Sequence, residues 1–359
     1  MGLNVSRLGV FACLLGPAAA HAQLAPVGVP AGAVRVELDG RMDIWDSQYL
    51  NGTVVPLGAG VASDAQRDEA RGVFGLGIGL TNGITILGRI PLVRSRAQSS
   101  IVTAPATDAE LHSSLSGPTG PVVLRPGGST ITFRGDVEAG AALTLLDHWD
   151  RDGHRGGFRA AVEGLVRFPT GSVPQPDRLF AVGTGDGQTD VEGRITTDLG
   201  AGNFGIRLEG DYNKQLAADM TAWVADPSQP PTGFITNVRN DPGDITTLAA
   251  RPFYRIARTL AIQGSAVYWS RGSDEVSYST PVDEIAGVDP SVLEVDTKAD
   301  ATVLGIGLTY ANPGAQRPGG RGLPVDAGWS YERVVGSSEG RVPNGHSITA
   351  HFRIYFGLF

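Results

Sequence analysis

Between Val34 and Ile44 every second residue is charged: Arg35, Glu37, Asp39, Arg41 and Asp43. Val34, Val36, Leu38, Met42 and Ile44 stand between them. An extended chain sends alternate side chains to opposite faces, so five charges share one face and an oily row the other. Such a face can pair charges across strands, line a watery passage or hold a charged ligand. The pattern returns with Arg134, Asp136 and Glu138, with Arg159, Glu163 and Arg167, and with Asp190, Glu192 and Arg194. It returns again with Arg207, Glu209 and Asp211, and with Arg353 near the end of the chain. Both signs occur on nearly every such face, which argues against a strongly anion- or cation-selective surface.

Other chemistry is sparse. His148 and His154 lie among Asp147, Asp150 and Asp152, a weak metal arrangement that lacks the ligand spacing of a zinc site. No metal or other cofactor is expected. His351 could act as a base for one of the many serines, but no motif surrounds any of them. Gly183-Thr184-Gly185-Asp186-Gly187 lacks the Lys-Ser/Thr and the helix of a phosphate loop and precedes a strand pattern instead.

The elements that carry these faces are strands. Besides those above, Phe74, Leu76, Ile78 and Leu80 alternate with Gly75, Gly77 and Gly79, and Asn82-Gly83 makes a hairpin signal before Ile84, Ile86, Ile90 and Leu92. Leu304, Ile306 and Leu308 alternate with Gly305 and Gly307, and Ile348, Phe352, Ile354, Phe356 and Leu358 face away from His351 and Arg353. Twelve such segments can be placed. Their connections alternate in length: 46–70, 93–130, 169–188, 216–243, 272–298 and 336–346 are long, and 82–83, 147–155, 200–203, 257–258 and 311–322 are shorter, with only 311–322 and 336–346 close in length. A soluble sandwich has no reason to sort its loops this way. A bacterial outer-membrane barrel does, with long loops outside and short turns in the periplasm. Aromatics near strand ends (Trp45, Trp149, Phe168, Tyr212, Tyr268, Trp269, Tyr310, Trp329 and Phe359) suit an interfacial girdle or ordinary packing.

The address agrees. Arg7, a short apolar run to Gly16, and Ala20-His21-Ala22 form a signal peptide with cleavage after Ala22. Cys13 follows too short and too bulky a stretch for a lipoprotein cysteine, so the mature chain has no thiol. The formal net charge is −8, one more negative without Arg7, which excludes a basic nucleic-acid footprint. Past the leader no apolar run is long enough for a membrane helix. Phe359 ends an amphipathic last segment, as the signal read by the barrel-assembly machinery does, although it sits on the other parity from Leu358.

Three short motifs follow in order: Gly135-Asp136-Val137-Glu138 opens a strand ending Leu145-Leu146-Asp147, Phe168-Pro169-Thr170-Gly171 closes the next, and Gly183-Thr184-Gly185-Asp186 leads into Asp190-Val191. With Gly79-Leu80-Thr81-Asn82-Gly83-Ile84-Thr85 and Pro91, this resembles the outer-membrane family of meta-pathway phenol degradation proteins over roughly residues 72–213. The resemblance implies a transporter-like barrel for hydrophobic compounds.

The sequence thus predicts an all-β, monomeric transmembrane antiparallel barrel of about twelve strands over 33–359, after a signal peptide (1–22) and a short periplasmic segment (23–32). Outer-membrane lipid and lipopolysaccharide, the assembly machinery and a small-molecule solute are the expected partners. The expected role is a passive channel; a structural or adhesive barrel with a plugged lumen and a barrel hydrolase remain as alternatives. All eighteen face charges named above, from Arg35 to Arg353, are expected to point inward, because an Arg or Lys on lipid costs about 2–4 kcal/mol at mid-bilayer. Glu37→Arg is then expected to disturb one pair at most. The later strands carry fewer charges and should flank the passage.

Overall fold

The computed structural model describes residues 28–57, 62–101, 116–117, 120–121, 129–149, 156–174, 176, 182–224, 235–257, 259–312 and 324–357. The signal peptide, its cleavage site at Ala22, the His154 end of the histidine cluster and Phe359 lie outside these residues.

Twelve long strands form the wall. They are β1 (Ala33–Leu50), β2 (Ala62–Gly79), β3 (Ile84–Ile101), β4 (Ser129–Arg134 and Val137–Trp149), β5 (Gly156–Phe168) and β6 (Asp190–Ala201). Then come β7 (Phe204–Gln215), β8 (Ile245–Arg255), β9 (Leu260–Arg271), β10 (Ala299–Ala311), β11 (Val325–Gly336) and β12 (Arg341–Gly357). Each pairs antiparallel with its neighbours in the chain, and β12 pairs back onto β1 from Ala33↔Gly357 to Leu50↔Arg341. Closure joins the first and last strands and removes the two free ends of the sheet, the condition for strands to cross a membrane.

The two faces differ sharply. Leu38, Met42, Phe74, Leu76, Ile78, Ile86, Ile90, Ile195, Leu248, Ile306 and Phe352 are all exposed, Leu92 to 61%. Glu37 is only 2% exposed and Arg207 1%. Oil outside and charge inside is the reverse of a water-soluble sandwich and fits a bilayer. Phe168, Tyr212, Tyr268, Tyr310 and Trp329 join the outer face, but Trp45 and Trp269 are buried inward. Inside, Trp45 lies under the Arg67 guanidinium.

Long connections share one end of the barrel and short turns the other, except in the last pair. There 13 residues separate Ala311 from Val325 at the short-turn end, and the expected long connection 336–346 shrinks to the 4 residues between Gly336 and Arg341 because β12 begins early. At the long-loop end, Ala218–Trp223, Ile235–Asp241 and Glu275–Tyr278 form a separate three-stranded sheet over buried Val238. At the short end, the β2–β3 turn spans Leu80–Gly83, slightly longer than the sequence suggested, with Ile84 N and Gly83 N donating to Thr81 Oγ1. The tight Asn-Gly hairpin lies instead at Asn51-Gly52, where both residues have positive φ (48° and 82°) and Leu50 pairs with Thr53. A protease-cleavable tag at Gly287 is expected to be cut on intact cells, and the same tag at Gly202 to be protected. Cleavage at Gly202 with protection at Gly287 would invert the barrel.

One strand is irregular. On β3, Leu92 pairs with Arg134 and Arg89 with Glu138, so three steps along β3 match four along β4. The extra residue at Gly135-Asp136 is a bulge, and it reverses which face each parity meets. Below it Glu138 and Ala142 point inward; above it Arg134 shares the outer face with Leu92 and is exposed. The expectation that Arg134 lines the interior is therefore corrected.

Candidate functional site

The interior is built by strand parity. In the lower and middle barrel β1, β2, β3, β5, β7 and β12 send odd residues inward and β4 and β6 send even ones. Rows from neighbouring strands then interdigitate, and opposite charges meet.

Arg89 on β3 stands at the centre. It lies 3.2 Å from Glu163, 3.6 Å from Glu138 and 3.8 Å from Glu37. Glu37 also meets Arg35 at 3.1 Å and Arg353 at 3.3 Å. Arg353 continues to Asp326 and reaches Asp39 at 3.9 Å. On the other side Glu138 contacts Arg71 and Arg167, both at 3.4 Å, and Arg167 binds Asp190 at 2.8 Å. Arg167 lies 3.9 Å from Glu192, which binds Arg194 at 2.6 Å. Arg194 returns to Glu163 at 3.6 Å and bonds Asp211 at 3.1 Å. These contacts make one connected lattice from β6 and β7 through β3 to β11 and β12. A charge removed from water needs such partners, since an unpaired buried ion costs several kcal/mol.

Smaller groups complete the ring. Asp198 takes hydrogen bonds from Arg159 (2.6 Å) and Arg207 (2.6 Å), and Arg159 lies 4.7 Å above the Trp149 ring. Arg41 donates to Asp43, which also accepts from Ser347. Arg251 donates to Glu209 at 2.9 Å and lies 3.7 Å from Glu332. Glu332 on β11 also accepts from Ser265 on β9, reaching across β10 over Gly305. A Cβ at Gly305 would lie 2.5 Å from Ser265 Oγ and 2.6 Å from Glu332 Cγ, so only glycine permits this contact.

The glycine lane of β2 is also filled. Residues 28–32, part of the segment expected on the periplasmic side, turn into the mouth at the short-turn end. Val29 is buried and its N–H donates to Thr85 Oγ1 at 2.8 Å, while Gly32 N donates to Gly79 O at 2.9 Å. A side chain at Gly79 would collide with the Pro30 carbonyl. The space left by Gly77 and Gly79 therefore receives the N-terminal segment.

The sparsely charged side carries two apolar clusters. Ile245, Trp269, Ala299, Ala301, Val334 and Val342 pack together at its long-loop end. Phe253, Ala261 and Ala311 pack with Trp149 at the other end.

Asp136 is buried at the bulge, not in the lattice. Its Oδ1 accepts from Gly171 N at 2.7 Å. Thr170 Oγ1 donates to Gly135 O and accepts from Val137 N, and Thr184 Oγ1 donates to Arg134 O at 2.8 Å. The three sequence motifs thus meet at one joint. There β5 has ended at Phe168, and the following loop takes over the unpaired upper edge of β4.

His351 Nε2 faces Asp326 at 3.2 Å, so its contacts tie it to the lattice. Among the described residues no group of three or more His, Cys, Asp or Glu could hold a metal.

Of the expected inward charges, all but Arg134 and Asp136 lie inside the barrel in the pairs described. Arg89, Asp326, Arg251 and Glu332 were missed by the sequence reading. Each stands on the inward parity of its strand, so extending the alternation to single charges would have found them.

A solved structure described as the COG4313 outer membrane channel from Pseudomonas putida F1 is similar, with 14% identity, 93% of this chain and 100% of that chain covered, and a TM-score of 0.58. The protein is an outer-membrane β-barrel. The match shows that the twelve-stranded barrel runs along essentially the whole of that relative. A FadL homologue from Pseudomonas aeruginosa (10% identity, 91% and 90% covered, TM-score 0.39) and the transport unit of the autotransporter AIDA-I from Escherichia coli (9%, 93% and 93%, 0.44) are more distant. No protein-family model matches the barrel, and no curated protein does.

Proposed function

We propose that the barrel is a narrow passive channel for small molecules, its path running through the charge lattice. The observation that carries this reading is the wetness the interior demands. Ser95 Oγ, Asn213 Oδ1, Gln215 Oε1, Trp269 Nε1 and Tyr355 Oη are buried without a protein hydrogen-bond partner. Buried polar atoms find partners almost without exception, which supports water inside the barrel. A hydrated interior of mixed sign passes small polar solutes with little preference for charge. The related solved structure is itself described as a channel. The three motifs resemble those of the meta-pathway phenol degradation family, whose implied cargo is hydrophobic; the lattice favours small polar cargo over it.

Proteoliposome swelling separates these cases. Small uncharged solutes should enter, and entry should fall steeply with solute size. Truncating the mature chain to begin at Gly32 withdraws Val29 and Pro30 from the mouth and should speed entry. Swelling by no solute, before or after truncation, would assign the barrel a structural role.

A further inference from the structure

We propose that Arg94, Arg96 and Arg134 form a binding site on the outer wall for the phosphorylated sugar headgroup of lipopolysaccharide. Most arginines of the wall point inward. Among the described wall strands, the outward basic side chains are these three, Lys214 and Arg333. Lys214 is engaged by Asp244 at 3.1 Å, and Arg333 stands alone on β11 opposite His346. The other three share one patch. Arg94 and Arg96 are two residues apart on the outer face of β3, and Arg134, opposite Leu92, is the diagonal neighbour of Arg94. Such neighbours have Cβ atoms roughly 7–8 Å apart, within reach of a single phosphate-bearing group.

The bulge at Gly135-Asp136 makes the patch. Without the extra residue Arg134 would keep the inward parity of Glu138. Its Nε donates to the Thr170 carbonyl at 3.2 Å, which ties the side chain to the joint. Thr130 and Thr132 on β4 are exposed beside it. Asp68 on β2 pairs with Arg96 in register and offsets one charge, leaving the patch positive.

Depth selects the ligand. Ile84, Ile86, Ile90 and Leu92 form the outward oily row of β3 below Arg94. Ten residues of a strand tilted by about 40° climb roughly 25 Å, the height of the apolar band of such barrels. β3 climbs from a short periplasmic turn toward a long outside loop, so Arg94 and Arg96 stand where the outer leaflet begins its headgroups. Guanidinium forks suit phosphate monoesters, and the oily row below offers a track for acyl chains.

Native mass spectrometry of the purified, folded barrel with bis-phosphorylated lipid A as the probe tests the site. One lipid A should be retained by the wild type and by Arg333→Gln. The combined variant Arg94→Gln/Arg96→Gln/Arg134→Gln should bind about tenfold more weakly or worse, and lipid A without phosphates should bind the wild type as weakly. Should the triple variant fail to fold, Arg94→Gln and Arg96→Gln singly should each still weaken retention severalfold. Equal retention by the variants overturns the proposal. So does displacement of lipid A by phosphatidylglycerol at equal concentration, or by millimolar inorganic phosphate. The readout is lipid retention, so its failure leaves the channel reading standing.

Discussion

Glu37→Arg is expected to abolish the folded barrel, while Glu37→Gln should fold with a stability loss of about 3–5 kcal/mol. The sequence alone suggested one disturbed pair. The structure gives Glu37 three cations: Arg35, Arg89 and Arg353. A guanidinium at position 37 would face all three at close range. The neutral amide keeps the shape and loses the charge, so three guanidinium groups share one carboxylate fewer. Urea titration in detergent, read by the shift in gel mobility between folded and unfolded barrel, measures both variants. A normally folded Glu37→Arg protein would show that the interior is loose enough to swing charges into solvent, and the lattice would lose its structural meaning.

Leu76→Arg is the second large effect. Leu76 points outward halfway along the oily row of β2, between Phe74 and Ile78, and pairs with Gly88 of β3. An arginine there meets hydrocarbon near the bilayer centre at a cost of about 2–4 kcal/mol. Gln66→Arg, also outward but beyond the oily row, should cost far less. The yield of folded barrel on refolding into lipid vesicles should fall for Leu76→Arg and hold for Gln66→Arg. Matching losses at both positions would mean that the apolar face does not meet lipid.

Much of this was legible in the residues. Alternation in Val34–Ile44 assigned both faces of β1, and the sorting of loop lengths separated barrel from sandwich. Four features escaped. The upper ends of β1 and β2 rise beyond the oily belt, where both faces are polar, so Gln66, Arg67 and Asp68 show no contrast and read as loop. The bulge at Gly135-Asp136 adds one residue to a pattern of period two. Ile131 and Phe133 above it still look like a continuation of the oily face, though they sit on the other side of the wall. The filling of the glycine lane was equally hidden, because the residues that fill it, Val29 and Pro30, lie some 50 positions from Gly77 and Gly79 and carry no strand pattern. Arg89 is a lone charge between Ile84 and Leu92 in the sequence, yet its partners come from β1, β4 and β5 and only closure of the barrel brings them together.

The central claim is that paired side chains set the width of the passage, and single-channel conductance in planar bilayers tests it most directly. Arg167 and Arg194 bridge Glu138, Asp190, Glu192, Glu163 and Asp211. The wild type should give small steps with weak preference between cations and anions. Arg167→Ala/Arg194→Ala should enlarge the steps and tilt them toward cations, since the carboxylates remain. No current from either protein, or large steps unchanged by the double substitution, would contradict the account.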